Sequence, residues 1–136
     1  MDKIADMFSK IQNAQKRGKS FTTISSSKLK KDILKILFIE GYIKGYSKSQ
    51  FEENELCIYL GYNQTSSFSN SKMNENPTHK IIRISRPGKR IYIQSKDINK
   101  VKRGLGILLL STQQGILCDR DARFFNLGGE ALCQIY

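Results

Sequence analysis

The chain has 136 residues, enough for one domain or two small lobes sharing a core, and its 39% hydrophobic content supports a folded protein. Its 23 Lys+Arg against 12 Asp+Glu, a net charge of +11, point to a polyanionic partner, most often nucleic acid, with an anionic membrane surface as the alternative. No apolar run approaches the roughly 18 residues of a spanning helix, no lipidation signal is present, and neither predicted helix shows a basic polar face opposite bulky aromatics, so no membrane association is expected.

Ile4, Met7, Phe8, Ile11 and Ala14 recur at helical spacing behind Asp2, a candidate N-cap, and predict a first helix that Gly18 ends. Residues 21–24 read as a short strand. Ser26 and Ser27 then cap a second helix with the apolar stripe Leu29, Ile33, Ile36 and Leu37, which stops at Gly41. Two antiparallel strands follow at 42–47 and 56–62, the second alternating Leu56, Ile58, Leu60, Tyr62. Residues 1–62 thus form an α-β-α-β-β lobe. Residues 63–78 are rich in Ser and Asn and read as a floppy connection or an expanded loop.

Residues 79–136 make a second, β-rich lobe. Strands are predicted at 81–85 and 90–94, with a helical turn near 98–101. Two apolar runs, 107–110 and 116–118, then flank the polar loop Ser111-Thr112-Gln113-Gln114-Gly115, which reads as a hairpin tip with hydroxyls turned outward. A short helix at 120–126 and a last strand at 131–136 complete an α+β protein of two small lobes, the second mainly antiparallel β with short helices.

Charge is uneven. Residues 1–50 carry 11 basic and 4 acidic side chains, residues 51–76 carry 1 and 4, and residues 77–136 carry 11 and 4. Two basic lobes flank a mildly acidic middle, as expected if both lobes touch phosphate while the middle faces elsewhere. Cys57, Cys118 and Cys133 lie in apolar strand-like runs and read as buried free thiols, which fits a reducing compartment.

Catalysis has little to stand on. His79 is the only histidine and sits in the polar connection, so a Ser-His-Asp or Cys-His arrangement has no support, and no Cys/His cluster has zinc spacing. Gly104-Leu105-Gly106 lacks the extended phosphate-loop pattern and suits a tight turn into a buried strand. No cofactor, metal or small-molecule substrate is expected. A basic nuclease or RNA-processing enzyme is the alternative function, and its chemistry would draw on His79, Asp119, Asp121 and Glu130.

Binding is better supported. Residues 80–103 hold nine basic side chains and one acid, Asp97. Within them Ser85-Arg86-Pro87-Gly88 is a turn that presents Arg86, Lys89 and Arg90 together, and Tyr92 lies two residues beyond Arg90 on the same face of a strand. Arginine pairs with phosphate through a planar fork, while Tyr92 suits either stacking on RNA or core packing. Stiff hydroxyls at Ser111 and Thr112 match the ribose 2′-OH groups of the RNA minor groove. Arg120 and Arg123 are candidate phosphate anchors, and Asp119 and Asp121 candidate caps of the last helix. Glu130 either orients a neighbouring arginine or hydroxyl or is an exposed strand-entry acid. In the first lobe Lys10, Asn13, Lys28, Lys30 and Lys31, with the cap Ser27, are candidate contacts to backbone phosphate.

These residues are also where the chain resembles a known family, that of small-subunit ribosomal protein number eight. The likeness covers nearly the whole chain. It runs through Ile4-Ala5-Asp6-Met7, Ser26-Ser27-Lys28-Leu29-Lys30, Glu40-Gly41-Tyr42-Ile43, Ser85-Arg86-Pro87-Gly88, Arg90-Ile91-Tyr92, Gly104-Leu105-Gly106-Ile107, Ser111-Thr112, Asp119-Arg120 and Leu127-Gly128-Gly129-Glu130. The resemblance implies a non-enzymatic protein that binds the central domain of small-subunit rRNA directly and early in assembly. It implies that the C-terminal lobe docks on an irregular rRNA stem, chiefly through Ser111, Thr112 and Gly115. Ser85 to Gly88, Tyr92 and Glu130 would support that contact, and the N-terminal lobe would face neighbouring ribosomal proteins. Gln113 stands where the family usually has serine, and Gln12 where it usually has arginine. An Asn, Lys, Ile and Ser bias, with no presequence, leans toward a mitochondrial copy ahead of a plastid or bacterial one.

Overall fold

The computed structural model describes residues 3–60 and 80–136. Asp2, Tyr62, His79 and the 63–78 connection lie outside the described residues.

Helix α1 (Lys3–Lys16) buries Met7, Phe8, Ile11, Ala14 and Gln15 on one face. Strands β1 (Phe21–Ser25), β2 (Gly45–Lys48) and β3 (Glu55–Tyr59) form an antiparallel sheet in the order β1-β3-β2, with Leu56 and Ile58 of the central strand turned inward. Between β1 and β2 runs α2 (Lys28–Ile39), capped by Ser27, whose hydroxyl accepts the Lys30 N–H at 3.2 Å.

The buried face of α2 is rotated from the expected stripe. Lys30, Ile33, Leu34 and Leu37 point inward, an i, i+3, i+4, i+7 set, while Leu29 is 39% exposed. A lysine can take that inward position because Ser25, ending β1, supplies acceptors. The ammonium donates to Ser25 Oγ at 2.7 Å and to the Ser25 carbonyl at 3.2 Å. Burial pushes the Lys30 pKa below the usual lysine value, against the opposing pull of Asp6.

The C-terminal lobe comprises β4 (Ile81–Arg83), β5 (Tyr92–Ile93), two 3₁₀ turns (Ser95–Asp97 and Val101–Gly104), β6 (Ile107–Thr112), β7 (Gly115–Cys118), α3 (Asp119–Phe124) and β8 (Gly129–Ile135). Its sheet runs β4-β8-β6-β7, all antiparallel; β5 also pairs with β8, taking the Gly129–Glu130 end while β4 takes the Cys133–Ile135 end. The strands predicted at 81–85 and 90–94 are shorter than expected because residues 84–91 are drawn into a closed turn.

Strand β6 explains its own composition. Ile107 and Leu109 join Met7, Phe8, Ile33 and Leu34 in one core cluster, together with Leu132, Cys133 and Ile135 of β8. Leu108 and Leu110 face the other way, into a second cluster with Ile98, Val101, Ala122 and Ala131. A strand covered on both faces reads as an unbroken apolar run. The first cluster therefore belongs to both lobes. Two polar contacts cross the same seam: Arg120 Nη2 meets Glu40 Oε1 at 2.6 Å, and the Tyr42 hydroxyl donates to the Ile135 carbonyl at 3.4 Å. All three cysteines are free thiols; Cys118 and Cys133 are buried and Cys57 is half-buried. Burial pushes the Cys133 thiol up to about 12.

Candidate nucleic-acid interface

The hairpin tip is narrower than the predicted loop. Thr112 pairs with Gly115 across β6 and β7, leaving Gln113 and Gln114 as the turn, with the left-handed step on Gly115 at φ +103°. Ser111 and Thr112 are strand residues. The Thr112 hydroxyl donates to the Gly115 carbonyl at 2.7 Å and accepts the Gln114 N–H at 3.2 Å. It therefore braces the turn and has spent its proton there, on the exposed side of the hairpin. Ser111 Oγ makes no hydrogen bond among the described residues and lines an adjoining cleft.

Strand register places the rest of the site. Ser111 lies opposite Glu130, and Glu130 lies opposite Tyr92, so the three occupy one row across β6, β8 and β5. Directly opposed residues of antiparallel strands share a face, and two strand spacings put Ser111 and Tyr92 about 10 Å apart. Tyr92 is 69% exposed, which decides against core packing. Gly129 makes the row possible: a Cβ there would overlap the carbonyl oxygen of Ser111.

Beside the row stands the turn of residues 85–91. Ser85, expected to reach RNA, is 0% exposed. Its hydroxyl accepts the Ile91 N–H at 2.8 Å and donates to the Ile91 carbonyl at 3.2 Å, clamping both stems of the turn. The backbones of Arg86 and Lys89 close it further with reciprocal bonds of 2.9 and 3.0 Å. Arg86, Pro87, Gly88, Lys89 and Arg90 are thereby held at the surface. Arg90 Nη1 lies 3.9 Å from Glu130 Oε2, so Glu130 does face a neighbouring arginine.

The row opens into a cleft of about 300 Å³ between the lobes, walled by Lys3 and Leu29 from the helices and by Arg83, Arg86, Arg90 and Glu130 from the C-terminal lobe. Four cations meet one carboxylate there. Lys3 and Arg83 were not singled out from the sequence. Arg83 could have been found in the basic run of residues 80–103, whereas Lys3 reaches the cleft only through the docking of α1.

In the N-terminal lobe Lys10 and Asn13 line a second groove, of about 580 Å³, with Arg17 and Lys19, which sequence reading also missed. Lys3, Lys10 and Arg17 are spaced by seven, and that spacing would have placed them along one helix face. Lys10 Nζ also lies 3.6 Å from Asp6 Oδ2. Lys28 and Lys31 are exposed at the start of α2. Lys30 is 4% exposed and engaged by Ser25, which removes it from the accessible surface, and the Ser27 hydroxyl is occupied as the helix cap.

The expected anchors on α3 are committed elsewhere. Arg120 is tied to Glu40 across the seam, and that carboxylate raises its pKa above the usual arginine value. Arg123 Nη1 bonds Asp119 Oδ2 at 3.0 Å. Asp119 does not cap α3. Because the helix starts directly where β7 ends, this carboxylate turns back to the sheet and accepts the Leu108 N–H at 3.3 Å; Cys118 is the N-cap residue.

The arrangement joins one free hydroxyl, one exposed ring and a cluster of cations along an open cleft. It suits binding to an extended polyanion.

The family model for ribosomal protein S8 matches residues 2–136. Small ribosomal subunit protein uS8 of Thermus thermophilus is 42% identical over 136 residues, covering 99% of this chain and 98% of the relative. Its counterpart in Thermus aquaticus is 43% identical over the same span, and that of Cereibacter sphaeroides is 39% identical over 137 residues, 99% of this chain and 97% of the relative. With the match running over nearly the whole of its length, the chain belongs to the ribosomal protein S8 family.

Proposed function

We propose that this protein binds the central domain of small-subunit rRNA directly, as a structural and non-enzymatic constituent of the subunit, and supports its assembly and translation. The observation that carries this reading is the row Ser111–Glu130–Tyr92 opening into a cleft with four cations and one acid. A stem laid on the row would meet the Ser111 hydroxyl at a ribose or base edge and Tyr92 at an unstacked base. Arg86, Lys89 and Arg90 would pair with flanking phosphates, and Glu130 would orient Arg90. Gln113, at the turn, offers an amide to the same groove. Family membership supports the choice of small-subunit rRNA over other polyanions.

The N-terminal lobe adds contacts that carry no sequence information. Lys3 and Lys10 lie along one face of α1 and Arg17 just beyond its end, leading from the interlobe cleft to the groove at Asn13 and Lys19. Lys28 and Lys31, exposed at the start of α2, add further positive charge. The same lobe faces neighbouring ribosomal proteins. A mitochondrial ribosome is the proposed location, on the Asn, Lys, Ile and Ser bias of the composition; the relatives above are bacterial, and a bacterial ribosome is the other setting their names allow.

Binding of the full chain to a central-domain transcript, measured across a salt series against DNA of matched length, tests the proposal. A steep salt dependence with a clear preference for the transcript is expected. Equal affinity for both polymers, or hydrolysis of the transcript, would discard it.

A further inference from the structure

One nucleophilic group of the N-terminal lobe has no part in the rRNA surface. Lys30 is 4% exposed, while Ser25, its hydrogen-bond partner, is exposed. Lys30 Nζ lies 2.7 Å from Ser25 Oγ and 3.2 Å from the Ser25 carbonyl oxygen. The Ser25 hydroxyl accepts the first of these bonds, and its own proton has no acceptor among the described residues. A buried amine thus stands directly behind an accessible hydroxyl.

The lysine is fixed at both ends. Its backbone N–H is held by the Ser27 cap at 3.2 Å, and its amine is aimed by the Ser25 carbonyl. A nucleophile within hydrogen-bond reach of a base, with the base oriented by a third group, is the arrangement that activates a hydroxyl. The surroundings favour the free amine. Burial pushes Lys30 below the usual lysine value; Asp6 of α1 opposes this, and Lys10 and Lys3 of the same helix add to it. Lys28 and Lys31, exposed on the same turn, have no serine beside their amines among the described residues.

We propose that Ser25 and Lys30 form an acyl-acceptor site, in which the serine takes an acyl group from a small acyl thioester and passes it to the buried lysine. In the first step the free amine of Lys30 removes the Ser25 hydroxyl proton as Oγ adds to the thioester carbonyl carbon. The C–S bond then breaks and the departing thiolate takes that proton from Lys30, leaving an ester on Ser25, a free thiol and a free amine. In the second step Nζ, about 3 Å from the ester carbon, attacks it. The C–O bond breaks, the proton released from nitrogen returns to Oγ, and the acyl group stays on Lys30 as an amide. An amide is more stable than an ester, so transfer runs in that direction. The product is uncharged and keeps one N–H where the ammonium had three, which loosens the junction between β1 and α2. No residue of the Ser111 row takes part, so this inference stands or falls apart from the rRNA reading.

Labelling of the full-length protein with the acetyl thioester of N-acetylcysteamine, read by mass spectrometry at each lysine, tests the site. Lys30 should be acetylated about tenfold faster than Lys28 and Lys31, although burial alone would make it the slowest of the three. Ser25→Ala should bring Lys30 below its neighbours and leave the rates at Lys28 and Lys31 unchanged. Ser25→Cys, whose thiol can relay in the same way, should keep Lys30 fast and keeps the test open where Ser25→Ala fails to fold. Labelling of Lys30 no faster than of Lys28 or Lys31 in the wild type overturns the site. Fast labelling that survives Ser25→Ala overturns the relay, by showing that Lys30 reacts directly.

Discussion

In the N-terminal lobe several polar residues that look available are engaged within the lobe itself. Ser27 caps α2, Lys30 turns inward to Ser25, and Lys10 pairs with Asp6. In the C-terminal lobe the consumed groups lie beneath the surface they shape. Ser85 clamps the turn that displays Arg86, Lys89 and Arg90, Thr112 braces the hairpin, and Asp119 holds Arg123 and the Leu108 N–H. Helix faces offer long, loosely held lysines, whereas closed turns and strand rows offer side chains at set positions. The first kind of surface suits charge attraction and the second suits recognition of shape.

The sharpest way to break this contrast is at the close approach of β8 to β6. Gly129→Ala should destabilise the protein by about 3 kcal/mol and abolish rRNA binding, because the new methyl meets the Ser111 carbonyl and forces the row apart. Denaturant unfolding reads the first effect and filter binding the second. A variant of native stability would show that the row does not depend on that contact.

Next in size is an alkaline weakness in the core that both lobes share. The folded state holds the Cys133 proton more tightly than the unfolded chain, its pKa rising from 9.0 to about 12. That contribution to stability is intact below about pH 9 and is lost as pH climbs towards about 12. Burial raises Cys118 and Tyr42 in the same direction. Cys133→Ala should flatten this part of a stability-against-pH curve, at some cost in packing at every pH. An unchanged slope would place the alkaline transition elsewhere.

Tyr92→Ala addresses recognition alone. The ring is 69% exposed, so the melting temperature should stay the same while affinity for the rRNA stem falls about tenfold, the usual worth of one stacked base. A drop in melting temperature with unchanged affinity would return Tyr92 to a packing role.

The smallest effects separate two lysines one residue apart. Lys31→Ala should lower the salt slope by about one and leave stability alone. Lys30→Met, which keeps the aliphatic stem, should leave the salt slope alone and shift only the stability, by roughly 1 kcal/mol. Equal slopes for the two variants would erase the distinction between a displayed and an embedded cation.

Much of the fold is legible in local pattern. The spacing of Met7, Phe8, Ile11 and Ala14, the cap at Ser27 and the alternation of Leu56 and Ile58 each record one element's buried face. The face of α2 was less legible. Ile33 and Leu37 fit the expected stripe and the inward one alike, and the acceptors that let Lys30 turn inward belong to β1 rather than to the helix. In the candidate site Arg86, Lys89, Arg90, Tyr92 and Ser111 stand exposed or beside the cleft. Lys3 joins them only because α1 packs against the C-terminal lobe.

From the sequence alone come the α+β class, the two-lobed order of elements, the excess of positive charge and the hairpin around residues 111–115. These follow from periodicity, composition and turn chemistry, which act over a few residues. Tertiary structure decided which polar groups remain available. Ser85, Asp119 and Lys30 are spent inside the fold and Thr112 in its own turn, while Ser111, Tyr92 and the arginines of the turn face outward. The reason is physical: a buried donor or acceptor must find a partner, and the partner is set by strand register and lobe docking.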